Sequence, residues 1–483
     1  MVIRCCFVTA ELAPLVKAGG LADAAGALAG ALHSRGVDLR VFVPMYAELD
    51  RSTLSLEPEP GLADLELSLG RHRYRYSFVR ARRAAGPDLL LVDCPELYGR
   101  PGVYGDAEDE HHRFALLCHA ALEACVRTGF APQVVHCHDW HTALLPTLLR
   151  QRYGRAPELA GARSLLTVHN LGYQGWLPAS VASELGLPEG AVETAGLAAD
   201  RINLLRQGLR DADAVSTVSP TYAKEICSPE LGMGLDEVLR ARGDEVAGIL
   251  NGVDYSTWDP ATDPHLPHRF SAADLSGKAR MRAALCDLLG LQDAPGRLLI
   301  GIVSRLVWQK GVDLLEGALE EPLADGRIAF AALGAGEPAN EALLESLARR
   351  FPGRAAFRRG YNERLAHWIE AGADAFLMPS RYEPCGLNQM YSLRYGTVPL
   401  VRRTGGLADS VRHFDPATGE GTGIVFNDAD PAAVRWAVET AAAWHQDHSL
   451  WSRIVANGMR EDFSWDRAVE EYLQLYRQIA ERA

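Results

Sequence analysis

Nowhere in the 483 residues does an apolar run reach the ~20 needed to span a bilayer, so no membrane helix is predicted. Cations are in short supply as well: 49 Lys and Arg stand against 62 Asp and Glu, a formal charge of -13. That balance argues against nucleic acid, whose binding rests on neutralising phosphates with Lys and Arg. An acidic chain can still hold a phosphorylated ligand through a local cluster of cations and backbone N–H groups. Each Lys or Arg beside a glycine turn is therefore of interest. No C-x-x-C pair occurs among the nine cysteines, an odd number. Most of them (Cys5, Cys6, Cys94, Cys118, Cys137) lie in apolar runs and read as reduced small hydrophobes rather than a disulfide framework. Cys385 is the exception. The opening residues, Met1 to Val8, carry neither a basic leader nor a small-residue cleavage site and read as a first strand, so a cytoplasmic chain is expected.

What is present is an ordinary soluble composition, 48% apolar and 23% charged, in a chain long enough for two or three domains. Short β-rich runs alternate with helical segments. Strands are expected at 3–9, 39–44, 89–93, 134–138, 164–168 and 214–218, and again at 298–304, 329–333, 375–378, 399–402 and 423–426. Their continuous Val, Leu and Ile character suits strands buried on both faces. Strand-then-helix repetition implies right-handed crossovers and parallel sheets, an α/β chain. The stretch near Arg71–Arg80 reads as an antiparallel excursion. A region rich in Pro, Asp and His after Asn251-Gly252-Val253-Asp254 marks a seam between two doubly wound domains. An internal echo accompanies it: Ala18-Gly19-Gly20-Leu21-Ala22-Asp23-Ala24 recurs as Thr404-Gly405-Gly406-Leu407-Ala408-Asp409-Ser410. Each copy sits between a strand and a helix, where doubly wound sheets bind ligands.

Several turns carry residues fit for chemistry. Lys17-Ala18-Gly19-Gly20 precedes a helix whose N–H groups would face an anion, although a plain tight turn has the same look. Arg305 and Lys310 flank a strand-to-helix turn and could converge on one diphosphate; a solvated cationic loop is the competing reading. Leu333-Gly334-Ala335-Gly336 follows a strand but lacks the third glycine of a dinucleotide fingerprint, so NAD is not inferred. In Glu383-Pro384-Cys385-Gly386-Leu387-Asn388 the proline and glycine force a bend before a helix. Glu383 there could receive sugar hydroxyls or stabilise positive charge at a sugar carbon, or simply cap the helix. His136-Cys137-His138-Asp139-Trp140-His141 resembles a metal cluster only superficially. On a strand His136 and His138 share a face while Cys137 points away, and no H-E-x-x-H motif accompanies them. No metal is therefore expected; Asp139 and His141 read as cleft residues, and His169 ends the next strand.

Taken together, these segments resemble the bacterial glycogen synthase and plant starch synthase family, glycosyltransferase family 5, over nearly the whole chain. The likeness includes the Lys17–Asp23 turn, His138-Asp139-Trp140-His141, Thr167–Asn170 with Gly172-Tyr173-Gln174-Gly175, and Ser219-Pro220-Thr221-Tyr222-Ala223. It continues through Asn251–Asp254, Ser304-Arg305-Leu306 with Gln309-Lys310-Gly311, Glu383–Leu387, Arg402–Asp409 and Asp462-Phe463-Ser464-Trp465. The resemblance implies a GT-B type fold, two Rossmann-like domains facing across a deep cleft. They would span 1–252, on the acceptor side, and 253–464, binding the nucleotide sugar, with a helix at 465–483 returning to the first. It implies that Lys17, Arg305 and Lys310 hold the donor diphosphate. Gly19, Gly20, Gly386 and Leu387 would offer backbone contacts to phosphate, and Tyr361 would stack on adenine. Asp23, His169, Asn251, Glu383 and Cys385 would surround the transferred glucose, and Tyr104 and Asp139 would line the acceptor side. Asn388 departs from the Thr common in relatives but stays polar. The segment Gly105–His112 is shorter than usual, and Tyr391 stands where many other retaining transferases carry a second Glu.

The implied reaction is retaining transfer of glucose from ADP-glucose to the terminal 4-hydroxyl of an α-1,4-glucan such as glycogen. It needs neither metal nor prosthetic group, ADP-glucose being a substrate. A relative using UDP-glucose or a small acceptor such as glucose 1-phosphate stands beside it, as does a sugar-nucleotide epimerase on the same fold. A catalytically dead glucan binder is disfavoured because Lys17, Arg305, Lys310 and Glu383 are all present.

Overall fold

A computed structural model describes residues 2–52, 54–82, 86–188, 190–195, 200–243 and 246–481, and in it the apolar runs become two largely parallel sheets. The chain divides into two units. The first comprises Met1–Val218, Ala223–Gly252 and Trp465–Ala483; the second comprises Ser219–Tyr222 and Val253–Ser464. No helix among the described residues is long and apolar enough to cross a membrane.

The first unit contains β1 (Arg4–Val8), β2 (Asp38–Pro44), β3 (Ser55–Pro58), β4 (Leu65–Leu69), β5 (His72–Arg82), β6 (Asp88–Asp93), β7 (Val134–His138) and β8 (Arg163–Val168). Three short strands follow, β9 (Trp176–Pro178), β10 (Thr194–Ala195) and β11 (Arg201–Asn203), which form a small antiparallel sheet of their own. The main sheet is completed by β12 (Ala214–Thr217) and β13 (Val246–Gly248). Its order is β13-β12-β8-β7-β1-β2-β6-β5-β3, with β4 paired to β5. Pairing is parallel from β13 to β6 and antiparallel at β5, β3 and β4, so the excursion expected near Arg71–Arg80 is there. The closing helix Trp465–Glu481 buries Trp465, Ala468, Val469, Tyr472, Leu473, Tyr476 and Ile479, a stripe at helical spacing. It is pinned to the first unit where the Tyr476 hydroxyl meets His136 Nδ1 at 2.7 Å.

The second unit contains β14 (Leu298–Leu306), β15 (Ile328–Gly336), β16 (Ala355–Arg359), β17 (Ala375–Met378), β18 (Val398–Arg402) and β19 (Ile424–Phe426). They are all parallel, in the order β16-β15-β14-β17-β18-β19. Alternate residues feed separate cores on the two faces. Leu298, Ile300, Phe330, Leu377 and Ile424 enter one; Leu299, Ala329, Ala331, Phe376 and Val425 enter the other. A strand buried on both faces needs apolar residues at every position, which is why the sequence shows runs instead of alternation.

Two expectations change here. Gly334 and Gly336 lie inside β15, not in a turn after it, because β14 and β15 stay paired as far as Leu306 and Gly336. A Cβ on Gly334 would come within 2.2 Å of the Ser304 carbonyl oxygen, and one on Gly336 within 2.5 Å of that of Leu306, so both glycines serve strand packing. The segment after β14 is not an α-helix but two 3₁₀ turns, Trp308–Lys310 and Val312–Leu315, separated by Gly311 at φ +66°.

Candidate active site

In each unit the strand order reverses at one place, and many of the predicted site residues lie at the carboxyl ends of the strands there, while His169, Asn251 and Tyr361 follow β8, β13 and β16. Such reversal points leave a crevice in open α/β sheets where ligands bind. In the second unit the reversal lies between β14 and β17. The loops that leave these strands, 307–311 and 379–387, are held together by backbone. Arg381 N–H donates to Gln309 O at 2.8 Å, and the Gln309 side chain donates to Tyr382 O at 3.3 Å. Gly311 is obligatory, since a Cβ there would meet the Pro379 carbonyl oxygen at 2.1 Å.

This clamp sets Lys310 Nζ 2.6 Å from Glu383 Oε2, with the Ser380 hydroxyl donating to the same oxygen at 3.0 Å. Both charged side chains are mostly buried, at 18% and 5% exposure. Arg305 lies exposed at the end of β14. Behind Glu383, Gly405 and Gly406 press on its backbone. Their Cβ atoms would fall 1.9 Å from Glu383 O and 2.0 Å from Cys385 O, and Gly406 N–H donates to Glu383 O at 3.1 Å. Gly386 takes φ +68° to turn the chain into the helix Asn388–Arg394, which begins directly after Leu387. The Asn388 amide donates to Val303 O at 2.8 Å, so its polarity ties this helix to β14. Tyr361, 67% exposed, lies between β16 and the helix Glu363–Gly372 and hydrogen-bonds Glu363.

In the first unit the reversal lies between β1 and β7. The loop after β1 is organised by Glu11, which is buried. One carboxylate oxygen accepts the N–H groups of Ala18 and Gly19 at 2.6 and 2.8 Å, and the other accepts the Tyr104 hydroxyl. Lys17 pairs with Asp23 across the start of the helix Gly20–Ser34, at 2.9 Å. Nothing lies within 4 Å of a Cβ built on Gly19 or Gly20, so packing does not explain these glycines. The echoed pair, Gly405 and Gly406, is instead buried against backbone. One motif thus answers two different needs.

After β7, Asp139 adopts φ +56°, a left-handed conformation that costs a non-glycine residue about 1–2 kcal/mol. Its carboxylate offsets this by accepting the N–H groups of His169 at 2.6 Å and Asn170 at 3.3 Å. Burial nevertheless pushes the Asp139 carboxyl up to about 7. Burial moves the neighbouring imidazoles the other way: His141 and His169 fall to about 3, and His138 falls well below its ordinary value. His169 Nε2 meets His138 Nδ1 at 3.0 Å, and His141 stacks on Tyr104 with centroids 4.7 Å apart. His136 and His138 do share a face, with centroids 4.1 Å apart. His136 is committed to Tyr476 and Thr167, and Cys137 turns its thiol to Val135 O. Trp140 explains a further motif: a Cβ on Gly175 would meet its ring at 2.5 Å.

Within each unit, then, most predicted residues assemble. Lys17, Gly19, Gly20 and Asp23 share one loop and helix start; Asp139, His169 and Tyr104 share the neighbouring surface. Lys310, Glu383, Cys385, Gly386, Leu387 and Asn388 form the second group. Asn251 is buried beside Gly252, which packs on Trp465. The sequence reading missed Glu11 and Ser380. Glu11 carries no motif and Ser380 sits unremarked in the bend before Glu383, and only the folded loop shows a carboxylate and a hydroxyl fixing the functional groups. The Gly19 N–H, expected to face phosphate, is already taken by Glu11.

Comparisons with known proteins agree with this layout. The starch synthase catalytic domain family matches residues 4–241, and the glycosyl transferases group 1 family matches residues 291–448. A glycogen synthase of Anaeromyxobacter sp. (strain Fw109-5) is 46% identical over 98% of this chain and 99% of its own length. That of Anaeromyxobacter dehalogenans (strain 2CP-C) is 45% identical, again over 98% and 99%. Among solved structures, the catalytic domain of starch synthase IV from Arabidopsis thaliana, bound to ADP and acarbose, superposes with a TM-score of 0.91. It is 33% identical and covers 99% of both chains. With such likeness running the full length, and many of the motif residues gathered at both strand reversals, the chain belongs to the glycogen and starch synthase family of glycosyltransferases.

Proposed function

We propose that the chain transfers glucose from ADP-glucose to the non-reducing-end 4-hydroxyl of an α-1,4-glucan, with retention at the anomeric carbon. The observation that carries this reading is the Lys310–Glu383 pair, fixed at the strand reversal of the second unit by two interlocked loops. It is supported by a starch synthase of the same fold bound to ADP and acarbose. In this reading Arg305 and Lys310 take the diphosphate and stabilise the charge that grows on it as the glycosidic bond breaks. Gly386, Leu387 and Asn388 address its phosphates, and Tyr361 offers an exposed ring to adenine. Glu383 and Cys385 face the transferred glucose, and Glu383 also keeps Lys310 in place.

In the first unit, Lys17 and the uncluttered backbone at Gly20 suit a phosphate, and Asp23, His169 and Asn251 suit sugar hydroxyls. Asp139 and the Tyr104–His141 stack receive the glucan. Chemistry proceeds by front-side displacement through an oxocarbenium-like transition state, the departing diphosphate helping to deprotonate the acceptor hydroxyl. The side-chain cations supply the charge stabilisation, so the reaction requires no metal or prosthetic group.

Purified chain with a glycogen primer, supplied in turn with ADP-glucose and UDP-glucose, tests this. ADP release matched by lengthened α-1,4 chains is expected. Preference for UDP-glucose, or product formed without any acceptor, would replace the proposal by the UDP-dependent or epimerase reading respectively.

A further inference from the structure

A second group of ligand-type side chains lies in the first unit, among residues the candidate site does not use. His111 and His112 sit in the first turn of the helix Glu110–Arg127. Both point Nε2 at one oxygen of Glu184, at 3.1 and 2.9 Å. Successive residues of a helix diverge by about 100°, so two adjacent imidazoles aimed at a single atom are a convergent arrangement. Their ligand atoms and that of Glu184 all lie within 4.8 Å of one another, and no other such group of three occurs among the described residues.

The surroundings hold His112 and Glu184 in place. His112 Nδ1 lies 2.7 Å from the buried Tyr74 hydroxyl. With Nε2 on a metal, Nδ1 carries the proton and donates it to that oxygen, the outer-shell bond that orients metal-binding histidines. Gly70, at φ +57°, lies against Glu184, and a Cβ there would come within 2.8 Å of Glu184 Cγ. The two histidines are almost fully buried, at 3% and 2% side-chain exposure, whereas Glu184 is 24% exposed, so solvent reaches the group from the carboxylate side. Bonds of about 2.0–2.2 Å to a tetrahedral ion would set nitrogen and oxygen roughly 3.3–3.6 Å apart, a few tenths wider than now. Two imidazoles and one carboxylate form a donor set suited to zinc and its neighbours.

We propose that His111, His112 and Glu184 bind one divalent transition-metal ion of the zinc class, with water completing its coordination. The ion pins the 3₁₀ segment Ala179–Leu185 to the helix Glu110–Arg127 and acts on stability, not on the transfer reaction. Full-length chain stripped with EDTA and dialysed against ZnCl₂ should retain one tight equivalent by atomic absorption, and CoCl₂ should give the visible bands of a four-coordinate ion. At zinc a hundredfold above its Kd, thermal unfolding should rise by about 5 °C. Glu184→Gln, isosteric and partly exposed, and His111→Gln should each abolish the tight equivalent and the cobalt bands while keeping the wild-type circular dichroism. A wild-type chain without a tight equivalent, or both variants retaining it, overturns the proposal.

Discussion

Cutting the Lys310–Glu383 pair one partner at a time gives the sharpest test of how the second unit is built. At 2.6 Å two unit charges attract by about 6 kcal/mol at an effective dielectric of 20. Desolvation of both groups offsets much of this, and removing one partner of a buried pair typically costs about 3–5 kcal/mol. In Lys310→Met, Glu383 keeps one donor, the Ser380 hydroxyl at 3.0 Å, so the cost should fall near 3 kcal/mol. Glu383→Gln leaves Lys310 facing a neutral amide and should cost somewhat less. Urea unfolding of both single variants and the double variant closes the cycle. The double should be less destabilised than the sum of the singles by about 2 kcal/mol, a coupling of the size contacting groups show. Turnover measured well below the melting temperature, with donor saturating, should fall ~10²-fold or more for Lys310→Met, as when a charge-stabilising donor is lost. Additive stability costs together with near-normal turnover would refute both the coupling and the role given to Lys310.

The echoed glycines should part company on substitution. Gly406→Ala sets a methyl 2.0 Å from the Cys385 carbonyl oxygen and should displace Glu383, lowering kcat and the melting temperature together. Gly20→Ala meets nothing within 4 Å and should unfold at the wild-type temperature or slightly above it, while raising the KM for donor severalfold. The first unit should also be acid-labile. Burial lowers His119 to about 4, His141 and His169 to about 3, and His136 and His138 well below their ordinary value. Between pH 6.5 and 4 the unfolded chain therefore binds more protons than the folded one, and stability falls as pH falls. Asp139, raised to about 7, works in the opposite direction between pH 7 and 3.8, and Asp93, also raised by burial, adds to it, but these are two groups against five histidines. His119→Gln, away from the candidate site, should flatten the acid limb by about 3 kcal/mol at pH 4 in urea titrations followed by fluorescence.

The sequence by itself determined the α/β class, the position of nearly every central strand and the residues worth watching. Strands buried on both faces must be apolar at each position, and turns that admit a ligand must carry glycine beside a cation; both demands are local and leave a local mark. The edge strand β19 was legible at 423–426, but β16 and β13 escaped because the demand is weaker at an edge. β16, paired only with β15, ends in Arg358 and Arg359, and β13 is the three-residue Val246–Gly248. Tertiary structure alone decided which groups meet. Glu11 holds Gly19 and Tyr104, and Glu383 holds Lys310, across separations of 8, 93 and 73 residues. It also decided why Gly405 and Gly406 are glycines for packing while Gly19 and Gly20 are not, and it brought Glu184 onto two adjacent histidines. Such pairings depend on how sheet order folds distant loops together, and no local stretch of sequence records that.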